Sequence, residues 1–496
     1  MNKEILDALG EVERDYVEEA APRGRRRMVR SIIAAAAALV LLAGALMTIP
    51  KLIGKPAGEI EANSSENPAT PVPTARPFPA ISLKDVAVAY PEEREYPRFV
   101  SAMEAEAAPE DRKAWYEAYK LRYEAAKKAP DMSGFAAALA AALTEGNEGE
   151  NLVCSPANIY IALAMLAESA EGETREQILS ALGQKDMGSL RDGVAALLEA
   201  ESNDDGASTC LLENSVWLSS DYGYNTETVE RLAELYRAAG FWGDPADPDF
   251  AGLLGKWIDE KTGGLLNDMA KYIALEPETV FALASTVVYS GSWMDEYDAE
   301  GTRTGLFHAP SGDIECEFMH KVSKNMYYYD GNGFIAVADQ IGIDNGLYWM
   351  IIPDEGRTVE EIMRGKGMEL LLSGELKGKA ECRETDITVP KIDIASDIEL
   401  EDAMKALGIT DCFDPEKADF SGIAAQPQEL SLTTSKHSAR IRTDEKGVEA
   451  AAVTVYGATN GEPEPVSVTI DRPFAFVITG LSGAPLFLGI VNDPAD

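Results

Sequence analysis

The alternation of apolar and polar positions changes rhythm several times along this chain. Ile5, Leu6, Leu9 and Val12 trace one face of a short helix inside a charged head, residues 1–30. Residues 31–50 then run without a single charge, long enough as a helix to cross roughly 30 Å of hydrocarbon. Pro68, Pro71, Pro73, Pro77 and Pro79 punctuate the next stretch, 51–102, which reads as an extended tether. Over 103–131 a helical extension is expected: Pro109 suits its first turn, and Trp115, Tyr116, Tyr119 and Tyr123 recur at three-and-four spacing as a stripe that would pack on the main body. From Met132 helical periodicity dominates to about residue 240. Strand-like runs at 279–289, 347–352 and 467–478 dominate afterwards, and this mixture predicts an α+β domain.

One late segment departs from the polar character of the rest. Charged residues make up 26% of the chain, yet neither a charge nor a proline occurs from Ala450 to Gly461. Val448, Ala450, Ala452, Thr454, Tyr456 and Ala458 would line one face of a strand with small or β-favouring side chains. Pro463 and Pro465 close the segment, and proline has no place in the middle of a sheet, so the stretch can enter one no further than Glu462. The composition is odd for a loop and fits a central strand.

Charge and chemistry narrow the function. The formal net charge is −40, and the first 30 residues balance seven basic side chains against seven acidic ones, so the whole excess lies beyond them. Such a surface repels nucleic acid and solubilises the chain. Five cysteines without a close pair (Cys154, Cys210, Cys316, Cys382 and Cys412) favour buried thiols over a disulfide framework or a zinc cluster, with one disulfide left open. The three histidines, His308, His320 and His437, come without a Gly-x-Ser-x-Gly elbow, a Gly-x-Gly-x-x-Gly loop or a Cys-x-x-Cys pair, so no enzyme, metal or cofactor is expected, and His308 and His320 read as surface residues.

Six blocks carry a resemblance. Asn151-Leu-Val-Cys-Ser155-Pro156-Ala-Asn158 with Gly172-Glu-Thr174, Trp257-Ile-Asp-Glu-Lys261-Thr262, Val288-Tyr289-Ser-Gly291-Ser-Trp293, Leu400 to Ile409 with Asp419-Phe420-Ser421-Gly422, Glu445-Lys-Gly447-Val-Glu-Ala-Ala-Ala, and Pro485-Leu-Phe-Leu-Gly489 are similar to serpin blocks in the family's order, over 132–496. The resemblance implies helices around a large central β-sheet with room for one more strand, and a reactive loop held outside it. A serpin is not a catalyst: a target serine protease attacks the loop, forms an acyl ester, and is carried away covalently as the loop inserts, a suicide-substrate mechanism. The hinge of that motion would be Glu445, Gly447, Val448, Glu449, Ala450, Ala451 and Ala452, and it carries none of the bulky or charged replacements with which non-inhibitory relatives tend to break it. Valine stands at 448 where the family more often has Thr or Ser.

The same resemblance places a polar cluster under the sheet at Asn158, Ser285 and His437, with Ser and Asn exchanged relative to the family, and puts Trp293 where the loop enters. Family spacing from Glu445 sets the reactive bond at Gly461-Glu462, with Asn460-Gly461 as alternative. The small residues before it suit an elastase-like or subtilisin-like protease. A monomer is expected, without heparin-type activation. The alternative is a non-inhibitory serpin used for binding or display at the cell surface.

The arginines at 23, 25, 26, 27 and 30 precede the apolar run, so the positive-inside rule puts the head in the cytoplasm and the serpin domain outside, on a single-pass signal anchor. A cleaved secretory signal is the competing reading, because Gly44 sits among small residues suited to processing. An anchored extracellular domain without disulfides suits a bacterial cell membrane.

Overall fold

The computed structural model describes residues 78–100, 108–331, 333–342, 346–425, 430–432, 435–448 and 464–495. The head, the apolar run 31–50 and most of the tether lie outside these residues, as do Glu449, Ala450, Ala451, Ala452, Asn460, Gly461 and Glu462. Among the described residues no helix is long and apolar enough to cross a membrane.

In chain order the strands are β1 (Ala87–Ala89), β2 (Leu152–Cys154), β3 (Asn203–Asp204), β4 (Ser208–Ser219), β5 (Ala238–Gly243), β6 (Phe281–Ser292), β7 (Arg303–Ala309), β8 (Gly312–Gly331), β9 (Phe334–Ile341), β10 (Gly346–Pro353), β11 (Glu381–Pro390), β12 (Ile392–Glu399), β13 (Lys436–Thr443), β14 (Gly447–Val448), β15 (Val466–Thr469), β16 (Phe474–Thr479) and β17 (Pro485–Val491). They make three sheets: β1-β5-β4-β6-β14 with β3 beside β4, a larger sheet β15-β11-β8-β9-β10-β16-β17-β2 with β7 on β8, and the two-stranded ribbon β12-β13. Strands β10, β16 and β17 are apolar along nearly their whole length because both of their faces are covered.

The helix Pro156–Ser169 forms the floor beneath β6 and β17. Ser155 caps it by accepting from the Asn158 amide at 3.2 Å, and Pro156 occupies the first turn, where its missing N–H costs nothing. Every residue but one in this helix is buried, which accounts for a sequence with almost no polar face.

One expectation changes here. The tether ends earlier than residue 102, because from Phe78 the chain lies on the body: β1 pairs antiparallel with β5, and Leu83 and Val100 are buried. A short strand with apolar neighbours gains more by covering a sheet edge than by staying in water. The aromatic stripe of the helix Pro109–Ala126 does pack on the body, with Trp115 Nε1 donating to Asp205 Oδ2 at 2.8 Å and Arg122 Nε donating to the Ala200 carbonyl at 3.0 Å. All five cysteines are free; Cys154, Cys210 and Cys412 are buried as expected, Cys316 is half-buried, and Cys382 is exposed near the start of β11.

Candidate functional site: a strand position beside β6

Strand β6 is paired along one edge with β4 over its full length, from Leu218 opposite Phe281 to Ser208 opposite Gly291. Along its other edge only β14 pairs, Gly447 opposite Ser292 and Val448 opposite Gly291. Below that point the edge has no partner among the described residues. Strand β14 is joined to β13 by a tight turn in which the Asp444 amide donates to the Gly447 carbonyl at 3.0 Å and Asp444 Oδ1 accepts from the amides of Lys446 and Gly447. A strand continuing β14 would therefore run between β6 and the β12-β13 ribbon, antiparallel to β6.

The top of this position is built around Trp293. Its Nε1 donates to the Asp444 carbonyl at 2.8 Å, its amide donates to the Lys446 carbonyl at 3.0 Å, and the Tyr297 amide donates to the Glu445 carbonyl at 2.8 Å. Edge-on packing against Tyr297 and Tyr348 fixes the indole. Below it the Lys321 ammonium, buried, meets Asp339 Oδ2 at 2.6 Å and lies 4.2 Å from the Tyr297 ring centre. The residue opposite Val448 has to be a glycine, because a Cβ at Gly291 would stand 2.5 Å from Ile341 Cγ2.

Glu445 is held by Lys391 Nζ at 2.8 Å and by the Thr302 hydroxyl at 2.6 Å. Burial pushes its carboxyl up, but those two donors outweigh it and keep the group below its ordinary value. The hinge is thus clamped at its base while Val448, only 4% exposed, is already seated in the sheet. This corrects the expectation of a loop wholly outside the sheet: Val448 is apolar, and its burial in the main cluster is favourable.

The polar cluster is arranged differently from the expectation. His437 is buried, and its Nε2 accepts from the Ser155 amide at 3.0 Å. The single hydroxyl proton of Ser285 goes to Asn214 Oδ1 on the neighbouring strand, at 2.7 Å, and Asn214 Nδ2 donates to the Tyr236 carbonyl. Asn158 is buried in the first turn of the floor helix. Asn214 and Ser155 were not singled out from the sequence, although Ser155-Pro156 carries a helix-start signal. His308 and His320 are exposed and each meets one carboxylate, Asp313 and Asp386.

Residues 131–494 match the family model described as Serpin (serine protease inhibitor). The chain belongs to the serpin family. Among curated relatives, it is 27% identical over 360 residues to a "Serine protease inhibitor" of Cyanea capillata, covering 70% of this chain and 93% of that one. It is also 28% identical over 379 residues to "Alpha-1-antitrypsin 1-1" of Mus musculus, covering 74% and 89%. The native-state structure of the thermophilic serpin tengpin superposes with a TM-score of 0.64 at 25% identity, covering 73% of this chain and 93% of that one. Human glycosylated kallistatin gives 0.65 at 24% identity over 75% and 99%, a likeness of fold.

One consequence of the serpin's buried histidine is measurable. Burial pushes His437 down to about 4, so it stays neutral in the folded state where an unfolded histidine would begin to protonate near 6.5. A group depressed on folding contributes fully above its unfolded value, and that contribution is lost as pH falls from about 6.5 through about 4, by about 3 kcal/mol in all. The urea midpoint of the wild-type chain is expected to fall more steeply over that window than that of His437→Gln. Parallel curves would show that His437 does not titrate as placed.

Proposed function

We propose that this serpin inhibits a serine protease as a suicide substrate, by cleavage of its loop and insertion of the severed segment beside β6. The observation that carries the reading is Val448, an uncharged hinge residue already paired at the top of an edge of β6 that has no other partner among the described residues. The protease serine Oγ bonds to the carbonyl carbon of Gly461, the bond to the Glu462 nitrogen breaks, and that nitrogen leaves as an amine after taking a proton. The ester joins protease to residue 461 while the freed strand is drawn in.

The register at β14 sets how far it reaches. Carried down from Val448 opposite Gly291, it brings Thr454 opposite Ser285 and Ala458 opposite Phe281, the first residue of β6. Leu283, Val287 and Tyr289 of β6 face the main core, whereas Ala282 and Ala284 face a second cluster, so the even-numbered loop residues turn inward. Those are Ala450, Ala452, Thr454, Tyr456 and Ala458, uncharged throughout. A cut at Gly461-Glu462 leaves three residues beyond Ala458, and one at Asn460-Gly461 leaves two. Either supplies the full strand.

The fold by itself would not select inhibition, since a thyroxine-binding globulin in complex with thyroxine shares it. The hinge does. Incubation with elastase-like and subtilisin-like proteases is expected to give an SDS-stable adduct and a released peptide starting at Glu462 or Gly461, read by mass spectrometry. A peptide starting at 457 or earlier would leave the strand position unfilled and discard the assignment. The proposed setting is a bacterial cell membrane with the serpin domain outside and residues 31–50 retained; mature protein starting near residue 46 in the soluble fraction would refute retention.

A further inference from the structure

We propose that residues 78–100 form a strap that restrains the helix Leu253–Lys261 and so holds the intact chain in its unfilled state; this rests on the insertion reading above. The strap lies outside the 131–494 stretch that matches the family, so the serpin body is complete without it. Its contacts converge on one helix and one sheet edge. Lys256 Nζ donates to the carbonyls of Ile81 at 2.9 Å and Pro79 at 3.2 Å. Pro79 lies so close to the start of the helix that a Cβ at Gly252 would meet its ring at 3.0 Å. Leu83 is buried in the cluster that Phe241, Phe250, Leu254 and Trp257 form on the outer face of the sheet, and Val86 accepts from the Trp242 amide at 2.9 Å beside the β1-β5 pairing. Further along, Arg94 meets Glu199 at 2.5 Å and the Phe99 amide donates to the Asp205 carbonyl at 2.8 Å.

That same cluster includes Ala282 and Ala284 of β6, so the helix rests on the outer face of the strand whose second edge, below Val448, has no partner among the described residues. A strand added along that edge sends alternate side chains to the helix's side of the sheet. The helix has to yield for the strand to pass. A charge-assisted tie from Lys256 to two carbonyls, together with the anchor of Leu83, opposes that motion in the intact chain and gives nothing back once the helix has moved. Contacts present before a barrier and absent at its top slow the crossing without changing the end state.

Lys256→Met and Leu83→Asp, each in the full-length chain, test the strap. The intact proteins are held a few degrees below their melting point, and the fraction that has become resistant to a second heating scan is followed over time. Both variants are expected to convert about tenfold faster than the wild type, while their loop-nicked forms melt close to nicked wild type. Conversion at the wild-type rate, or no conversion in any of the three, would overturn the strap, as would equal destabilisation of intact and nicked forms, which marks a merely structural role. A wild-type chain that melts no higher after nicking would remove the insertion reading itself, a result distinct from equal conversion rates.

Discussion

Nicking the loop of the intact chain is expected to raise its melting temperature by about 10 to 30 °C. Below Val448, the free edge of β6 runs from Ser290 to Phe281, so a severed loop can add ten residues to the ladder. At about 0.5 to 1.5 kcal/mol for each hydrogen bond, that ladder alone contributes on the order of 10 kcal/mol. Burial of Ala450, Ala452, Thr454, Tyr456 and Ala458 adds about 25 cal/mol for each Å² of apolar surface removed from water. In a domain of this size each kcal/mol shifts the midpoint by a few degrees at most, which gives the range stated. Calorimetry before and after limited subtilisin digestion reads it directly. Superimposable transitions would mean that no strand was added.

The second large effect belongs to Val448→Arg. Position 448 is buried in the main hydrophobic cluster opposite Gly291. An unpaired buried charge costs several kcal/mol, comparable with the gain from several inserted residues, and because Val448 is already paired with Gly291 the charge falls on the seat from which insertion would continue. The variant should be cut by the target protease and released. The SDS-stable adduct is expected to fall below about a tenth of the wild-type yield, and the rise in melting temperature on nicking should shrink with it. Val448→Thr keeps the size without the charge and should trap as well as the wild type. Full trapping by Val448→Arg would show that the hinge does not enter at this position.

Much of the site was legible because its chemistry is local in sequence. The charge-free run after Glu449 announces a segment suited to burial, Gly447 the place where the chain turns, and Ser155-Pro156 the start of the floor helix. The strand-like run 347–352 falls within β10, and 279–289 within β6 save for its first two residues and the strand's last three. The run 467–478 divides into β15 and β16 around Asp471, Arg472 and Pro473, because a residue without an N–H interrupts the ladder. β4, twelve residues long, escaped notice inside a stretch dominated by helical periodicity, since a strand paired on both edges needs no clean alternation of its own.

The partners were not legible. Asn214 meets Ser285 across 71 residues, Lys391 meets Glu445 in the turn between β13 and β14, and Lys256 reaches Ile81 over 175. Cys382 looks no different in sequence from its four buried counterparts, and only the edge it occupies near the start of β11 exposes it. By itself the sequence determined the family, the α+β class, and a hinge free of charge where burial is required, because these follow from residue type and short-range spacing. The tertiary structure alone decided that Val448 is already seated, that β6 below it has an edge with no partner among the described residues, and which donor meets which acceptor, because strand pairing and burial join positions that no local pattern connects.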